Sequence, residues 1–195
     1  MARLPFASAV IAAAMRPSAR WRDWGVVDPF ADADTLVLLL VGGLVAGVFT
    51  IPDSPSLDFG SADFLIEMVL LPAWGGFAYA QGGLLLNCAR TSQHLTVAPS
   101  VDVASNVDLG TGPPHLFGIW RHGATLELIV DRTRTTGSLT TETFGGKVVL
   151  GDKDGLETQV NVFKGAYAEV VVAKGTFSTS TVAGVELYLI NRFGL

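Results

Sequence analysis

Glu127 and Asp131, in TLELIVD (125–131), come nearest in this chain to the paired acids of glycoside hydrolysis. Such a pair works at about 5–5.5 Å when one carboxylate is the nucleophile and at about 6.5–9.5 Å when it activates a water. Four positions along an extended strand put these two about 13 Å apart. Glu127 is therefore read as a solvated strand residue, and no catalytic pair is expected. The histidines His94, His115 and His122 have no Ser or Cys in a pattern that would join nucleophile to base, and are read as surface or loop residues. GDKDG (151–155) sets Asp152 and Asp154 beside glycines. Calcium takes about 6–8 oxygens, of which two carboxylates are a small part, so this segment reads as a hairpin turn. AWGGFAYAQGG (73–83) offers Trp74, Phe77 and Tyr79 as a candidate glycan-binding platform in a glycine-rich setting. Packing of the same three aromatics into a core is the competing reading.

With so little reactive chemistry, composition carries more of the argument. A chain of 195 residues can bury roughly 70 % of its unfolded surface. Only 16 % of the residues are charged and 49 % are hydrophobic, with a mean hydropathy of +0.44, whereas ordinary soluble domains carry about 25 % charge. A membrane or a large protein interface has to absorb that excess. The net charge of −5, with 13 Lys and Arg spread along the chain, argues against a nucleic-acid partner. Cys88 is the one cysteine; it forms no intrachain disulfide and is expected as a buried apolar thiol. TLVLLLVGGLVAGVFTI (35–51) is uncharged, but it sits at the lower limit of the about 17–25 residues that a spanning helix needs. Gly42-Gly43 between β-branched runs reads instead as a hairpin turn joining TLVLLLV to LVAGVFTI, and no membrane span is expected.

The elements follow from these patterns. Residues 1–34 form an arm of their own composition, Ala-rich with Arg3, Arg16, Arg20 and Arg22. Its start has the order of a signal peptide, Arg3 before an apolar run from Leu4 to Ala14; beginning at Met1, it is read as an uncleaved structural arm. ASAVIAAAM (7–15) is expected as a short helix ending before Pro17. From residue 35 the chain turns to short β-branched or aromatic runs bounded by Gly, Pro, Asp and Thr: DFLIEMVLL (63–71), LFGIW (116–120), TLELIVD, KVVLG (147–151) and AYAEVVVAK (166–174). Many short strands with turn signals indicate an antiparallel sandwich or barrel. STSTVAGVELYLINRFGL (178–195) breaks the pattern, with Val182, Val185, Leu189 and Ile190 on a helical stripe, Ser and Thr to cap it and Gly194 near its stop.

FTIPDSPSLDFGSADFLIEMVL (49–70) resembles the opening strands of laminin-G-like jelly rolls of the concanavalin A-like lectin/glucanase superfamily, where a strand enters a Pro-Asp-Ser hinge and a Leu-Asp-Phe turn. WRHGATLELIVDRTRTTG (120–137) resembles the hairpin that follows, with Ile129-Val130-Asp131-Arg132 in place of a Tyr-Val-Asp-Gly turn. GGKVVLGDKDG (145–155), FKGAYAEVVVAK (163–174) and VELYLINRFGL (185–195) resemble, in order, the next strand, the closing strand and the terminal helix. The resemblance covers about 35–195 and implies an all-β, two-sheet antiparallel jelly-roll sandwich with an N-terminal arm and a short C-terminal helix. The hinge would then carry the chain from one sheet to the other.

What the resemblance implies for function is equally specific. Glycanase relatives have carboxylates two positions apart on one strand, which this chain lacks, so no enzyme is expected. Calcium at the rim is common in laminin-G-like domains, but Asp152 and Asp154 alone support it weakly, and no cofactor is expected. Such domains recur in phage structural proteins. The expected role is thus a non-enzymatic component of a virus particle, a head-decoration, fibre or tail protein located in the virion. Its expected partners are other virion structural proteins, further copies of itself and host-surface glycan. The alternative is a free carbohydrate-binding lectin or adhesin module. In the arm, Phe6, Val10, Ile11, Trp21, Arg22 and Trp24 are the expected anchor, since burying one large apolar side chain is worth roughly 1.5–3 kcal/mol and Trp and Arg are enriched among interface hot spots. The competing reading folds the arm back over an edge of its own sheet.

Overall fold

The computed structural model describes residues 11–13, 35–45, 49–51, 53, 55, 57–71, 75–97, 101–110, 113–139, 142–152 and 162–195. The strands in chain order are β1 (Ile11–Ala13), β2 (Thr35–Val45), β3 (Phe49–Ile51), β4 (Phe64–Leu71), β5 (Phe77–Gln81), β6 (Leu84–Cys88), β7 (Gln93–Val97), β8 (Val101–Ser105), β9 (His115–His122), β10 (Thr125–Val130), β11 (Thr133–Ser138), β12 (Val148–Leu150) and β13 (Ala166–Lys174), followed by helix α1 (Thr179–Phe193). They form two antiparallel sheets. One has seven strands in the order β1-β2-β13-β4-β9-β10-β11, the other six in the order β3-β12-β5-β6-β7-β8. The jelly-roll sandwich expected from the sequence is therefore the fold, and β3 and β4 lie in different sheets on either side of the Pro-Asp-Ser segment.

Two local expectations are corrected. Gly42-Gly43 is not a hairpin turn, because β2 runs unbroken through it. Its pairing with β13 passes from Glu169↔Val41 to Tyr167↔Val45, so that three residues of β2, 42–44, stand opposite one of β13, Ala168. The glycines thus sit in a bulge, where residues without a side chain accommodate the extra backbone. The short helix expected over 7–15 is also absent at Ile11–Ala13, which pairs with Leu38–Leu40 of β2 as the last strand of the seven-stranded sheet. A lone short helix is marginal in water, whereas a strand here satisfies the open backbone groups of an edge.

Between the sheets lies a core that includes Phe59, Phe64, Met68, Tyr79, Phe117, Phe144 and Tyr167. Phe59 and Phe64 stack at 4.6 Å, and Phe144 meets Phe64 edge-on at 5.5 Å. The Tyr167 hydroxyl, on β13, donates to the Ala78 carbonyl of β5 at 2.5 Å. That hydrogen bond crosses the sandwich and ties the two sheets at a fully buried point.

A second apolar layer covers the outer face of the seven-stranded sheet. There Val182, Val185 and Leu189 of α1 pack on Leu65, Val69, Trp120, Ile129 and Val171. The helix has the ends its sequence announced. Ser178 accepts from the Thr181 N–H at 3.1 Å, and Gly194, at φ 68°, donates its N–H to the Ile190 carbonyl at 2.8 Å. Because α1 covers that face, β10 is buried on both sides rather than having a wet face as its alternation suggested.

Candidate functional site

Three polar constellations stand out from this apolar frame, and each is made by pairing between strands. The first is a seam beneath α1. Across the seven-stranded sheet, cross-strand partners place Val171, Glu67, Gly118, Ile129 and Arg134 in one row. Gly118 leaves room for the Glu67 side chain, since a Cβ there would meet Glu67 Oε1 at 2.9 Å. Glu67 is completely buried, and neither of its oxygens meets a hydrogen-bond partner among the described residues. Burial, reinforced by the nearby Glu186 carboxylate and opposed by Arg134, pushes its pKa well above the ordinary 4.5, so it stays protonated where other carboxyls ionise.

Arg134 is the hub of this seam. It donates to Glu127 Oε2 at 3.0 Å and to Glu186 Oε1 on the helix, while its guanidinium lies 5.6 Å from the Trp120 ring centre. Glu127 also accepts from or pairs with His122 Nε2 at 2.9 Å. The expectation of a solvated Glu127 is corrected, because strand pairing and α1 together enclose it at 9 % exposure. Farther along, Glu169 is fully buried, with Tyr188 donating to it at 3.3 Å and Arg192 Nε 3.1 Å from its Oε2. Burial raises the pKa of both Glu169 and Glu186.

The second constellation lies on the outer face of the six-stranded sheet. Ser92 Oγ is 2.7 Å from His94 Nε2, and His94 Nδ1 is 3.0 Å from Asp102 Oδ1. The order is that of nucleophile, base and orienting acid. However, the His94 and Asp102 side chains are 41 % and 54 % exposed, and water competes for each bond, whereas acyl transfer draws its rate from a water-excluded site. Sequence reasoning missed this group. Ser92 and His94 share a face two positions apart, but Asp102 arrives only through the pairing of β7 with β8, in which it faces Thr96.

The third is a pocket of about 260 Å³ at one end of the sandwich, between the β10–β11 turn, the start of β9 and the end of α1. His115, Asp131 and Arg132 supply its polar side. Asp131 Oδ2 is 2.6 Å from His115 Nδ1, and its Oδ1 accepts from the Leu116 N–H at 3.0 Å. Pro113, Pro114, Leu116, Ile190 and Leu195 form the apolar walls. Asp131 at φ 46° and Arg132 at φ 69° are the non-glycine residues with positive φ among those described. A two-residue hairpin of this kind normally carries glycine at one of those positions, so the Arg side chain is kept here against local backbone preference.

The residues expected as sites fare differently. Tyr79 is no exposed platform: it is completely buried, donating its hydroxyl to Gln81 at 2.6 Å, and burial raises its pKa. Phe77 is half-buried, and Trp74 lies outside the described residues. Of the arm's expected anchors, the backbone of Ile11 lies in β1, while Phe6, Val10, Trp21, Arg22 and Trp24 lie outside the described residues. Asp152 is buried, Asp154 lies outside the described residues, and no group of three metal-ligating side chains occurs among those described. His115, expected at the surface, is buried beside Asp131, whereas His122 pairs with Glu127 but keeps 35 % of its side chain exposed. Cys88 is buried as expected, and burial raises its pKa. No helix among the described residues is long and apolar enough to cross a membrane.

No family model matches the chain, and no curated protein matches it. Solved structures do share its fold. Domains LG4-5 of the mouse laminin alpha1 chain align with a TM-score of 0.53 at 15 % identity, over 71 % of this chain and 47 % of that one. Domain 4 of AbnA, an extracellular arabinanase from Geobacillus stearothermophilus, solved with arabinotriose, aligns at 0.53 and 10 % identity over 79 % and 92 %. NanB sialidase from Streptococcus pneumoniae aligns at 0.52 and 10 % identity over 73 % and 27 %. The chain therefore spans less than half the length of the laminin and sialidase chains. The fold it shares with all three is the concanavalin A-like, laminin-G-like jelly roll.

Proposed function

We propose that the protein is a non-catalytic jelly-roll module that recognises carbohydrate. The observation that carries this reading is the fate of the acids. Among the described residues, Glu67, Glu127 and Glu186 gather around Arg134 between α1 and the sheet, where they are buried rather than open to a polysaccharide. Open polar groups and an end pocket remain for binding. The likeness to an arabinanase domain solved with arabinotriose supports the same reading. Incubated with insoluble arabinan, xylan and β-glucan, the protein should be retained by at least one polymer, with no reducing ends released and no cleavage of p-nitrophenyl acetate. Retention by none of them would remove the carbohydrate reading. Turnover abolished by Glu127→Gln, or ester cleavage abolished by Ser92→Ala, would remove the non-catalytic one.

A second reading is a structural component of a virus particle, held by residues 1–34 with the jelly roll outward. It is favoured by the composition, 16 % charged against 49 % hydrophobic, which calls for a large covered surface. Other virion proteins and further copies of the chain would be its partners. Against the anchor stands the pairing of Ile11–Ala13 with the domain's own β2. Deleting residues 1–30 should leave a folded domain that no longer joins the assembly. Incorporation at the normal level would remove the anchoring role.

A further inference from the structure

We propose that the pocket bounded by His115, Asp131 and Arg132 is the carbohydrate site, and that it takes one neutral, terminal sugar ring. This rests on the carbohydrate reading above and assigns it a place and a ligand class. Size comes first. At about 260 Å³ the pocket falls below the roughly 300–1,000 Å³ that drug-sized ligands fill, so it suits a single ring rather than a chain segment.

Chemistry follows from the walls. A sugar ring presents an apolar C–H face and an edge of hydroxyls, each both donor and acceptor. Pro113, Pro114, Ile190 and Leu195 provide the surface for the face. Asp131 already accepts from the Leu116 N–H and pairs with His115. A carboxylate has about four lone-pair sites, and its side chain is 36 % exposed, so acceptor capacity remains for a hydroxyl. Arg132 offers donors beside it. Asp131 and Arg132 cancel in charge, and the chain as a whole carries −5; an anionic sugar would gain from Arg132 only what it loses to Asp131.

The backbone supplies an independent argument. Asp131 and Arg132 both hold a left-handed φ, a conformation disfavoured for a side chain such as that of arginine, and strain of this kind collects at ligand sites. Glycine at 132 would relieve it, whereas an arginine lines the pocket there.

The test uses the full chain and nuclear magnetic resonance titration with methyl glycosides of arabinofuranose, xylose, glucose, galactose and mannose, with methyl glucuronide as the charged control. At least one neutral glycoside should shift the amides of Leu116, Asp131, Arg132 and Leu195, and the glucuronide should bind at least tenfold more weakly. Arg132→Gly should raise the melting temperature and weaken that binding at least fivefold; Asp131→Asn, which tolerates the left-handed turn, should weaken it at least tenfold. Arg132→Gly melting at or above the native temperature with unchanged affinity would overturn the proposal. So would shifts confined to other residues, equal binding of glucuronide, or no glycoside binding. Retention on insoluble polysaccharide is scored separately, so the site can fail while the carbohydrate reading stands.

Discussion

Arg134→Met will destabilise the protein by about 3 kcal/mol, the range found when one partner of an enclosed ion pair is removed. The guanidinium bridges Glu127 on β10 and Glu186 on α1 and faces the Trp120 ring. Its side chain is 28 % exposed, but those of its partners only 12 % and 6 %. Removing it leaves Glu127 and Glu186 near a third carboxyl, Glu67, without the cation that bridges them, although the charge of Arg132 still acts on Glu186. They can escape by taking up protons, so the loss will be smaller in acid and grow as the pH rises. Urea unfolding at pH 5 and pH 8 measures both effects. A loss under 1 kcal/mol at pH 8 would mean that water, not Arg134, compensates the seam.

Glu67→Met will stabilise the protein by about 1–3 kcal/mol at neutral pH, because replacing an unsatisfied buried acid by an apolar chain of similar volume removes a desolvation penalty. The pH dependence gives the more specific check. The folded pKa of Glu67 lies above its unfolded value, so over the interval between them the folded chain holds a proton that the unfolded chain has released. Stability is therefore full below the ordinary carboxyl range and falls as the pH rises, by up to about 1.4 kcal/mol per unit, until the folded pKa is reached. Glu169 and Glu186 are shifted upward too, so the variant will keep part of the slope. Equal slopes for the two proteins between pH 5 and pH 8 would show that Glu67 is hydrated.

Both results concern a seam that alternation in the sequence misrepresents. TLELIVD shows a strand with Leu126, Leu128 and Val130 on one side, and those three residues do enter the core. The other side reads as wet because Glu127 and Asp131 are charged, yet α1 closes over Glu127 and leaves Asp131 at the pocket mouth. Local pattern reports which side chains share a face; it carries no information about what covers that face.

Local signals were sufficient wherever the physics was local. The Ser178 cap, the Val182, Val185 and Leu189 stripe and the Gly194 stop depend on neighbours within a turn or two, and the strands of 63–71, 116–120 and 166–174 depend on β-branched and aromatic content. Together they determine an all-β chain ending in one helix. Pairing decided the rest. Gly42-Gly43 became a bulge because β13 lies beside β2, and Ile11–Ala13 became a strand because β2 would otherwise be an edge. Tyr79 went into the core because β5 lies in a sheet whose inner face is covered. His115 met Asp131, and Asp102 met His94, through strand register alone. Hydrogen bonds between strands are indifferent to side-chain type, so the contacts that assemble these three polar sites exist only once the strands that carry them have paired.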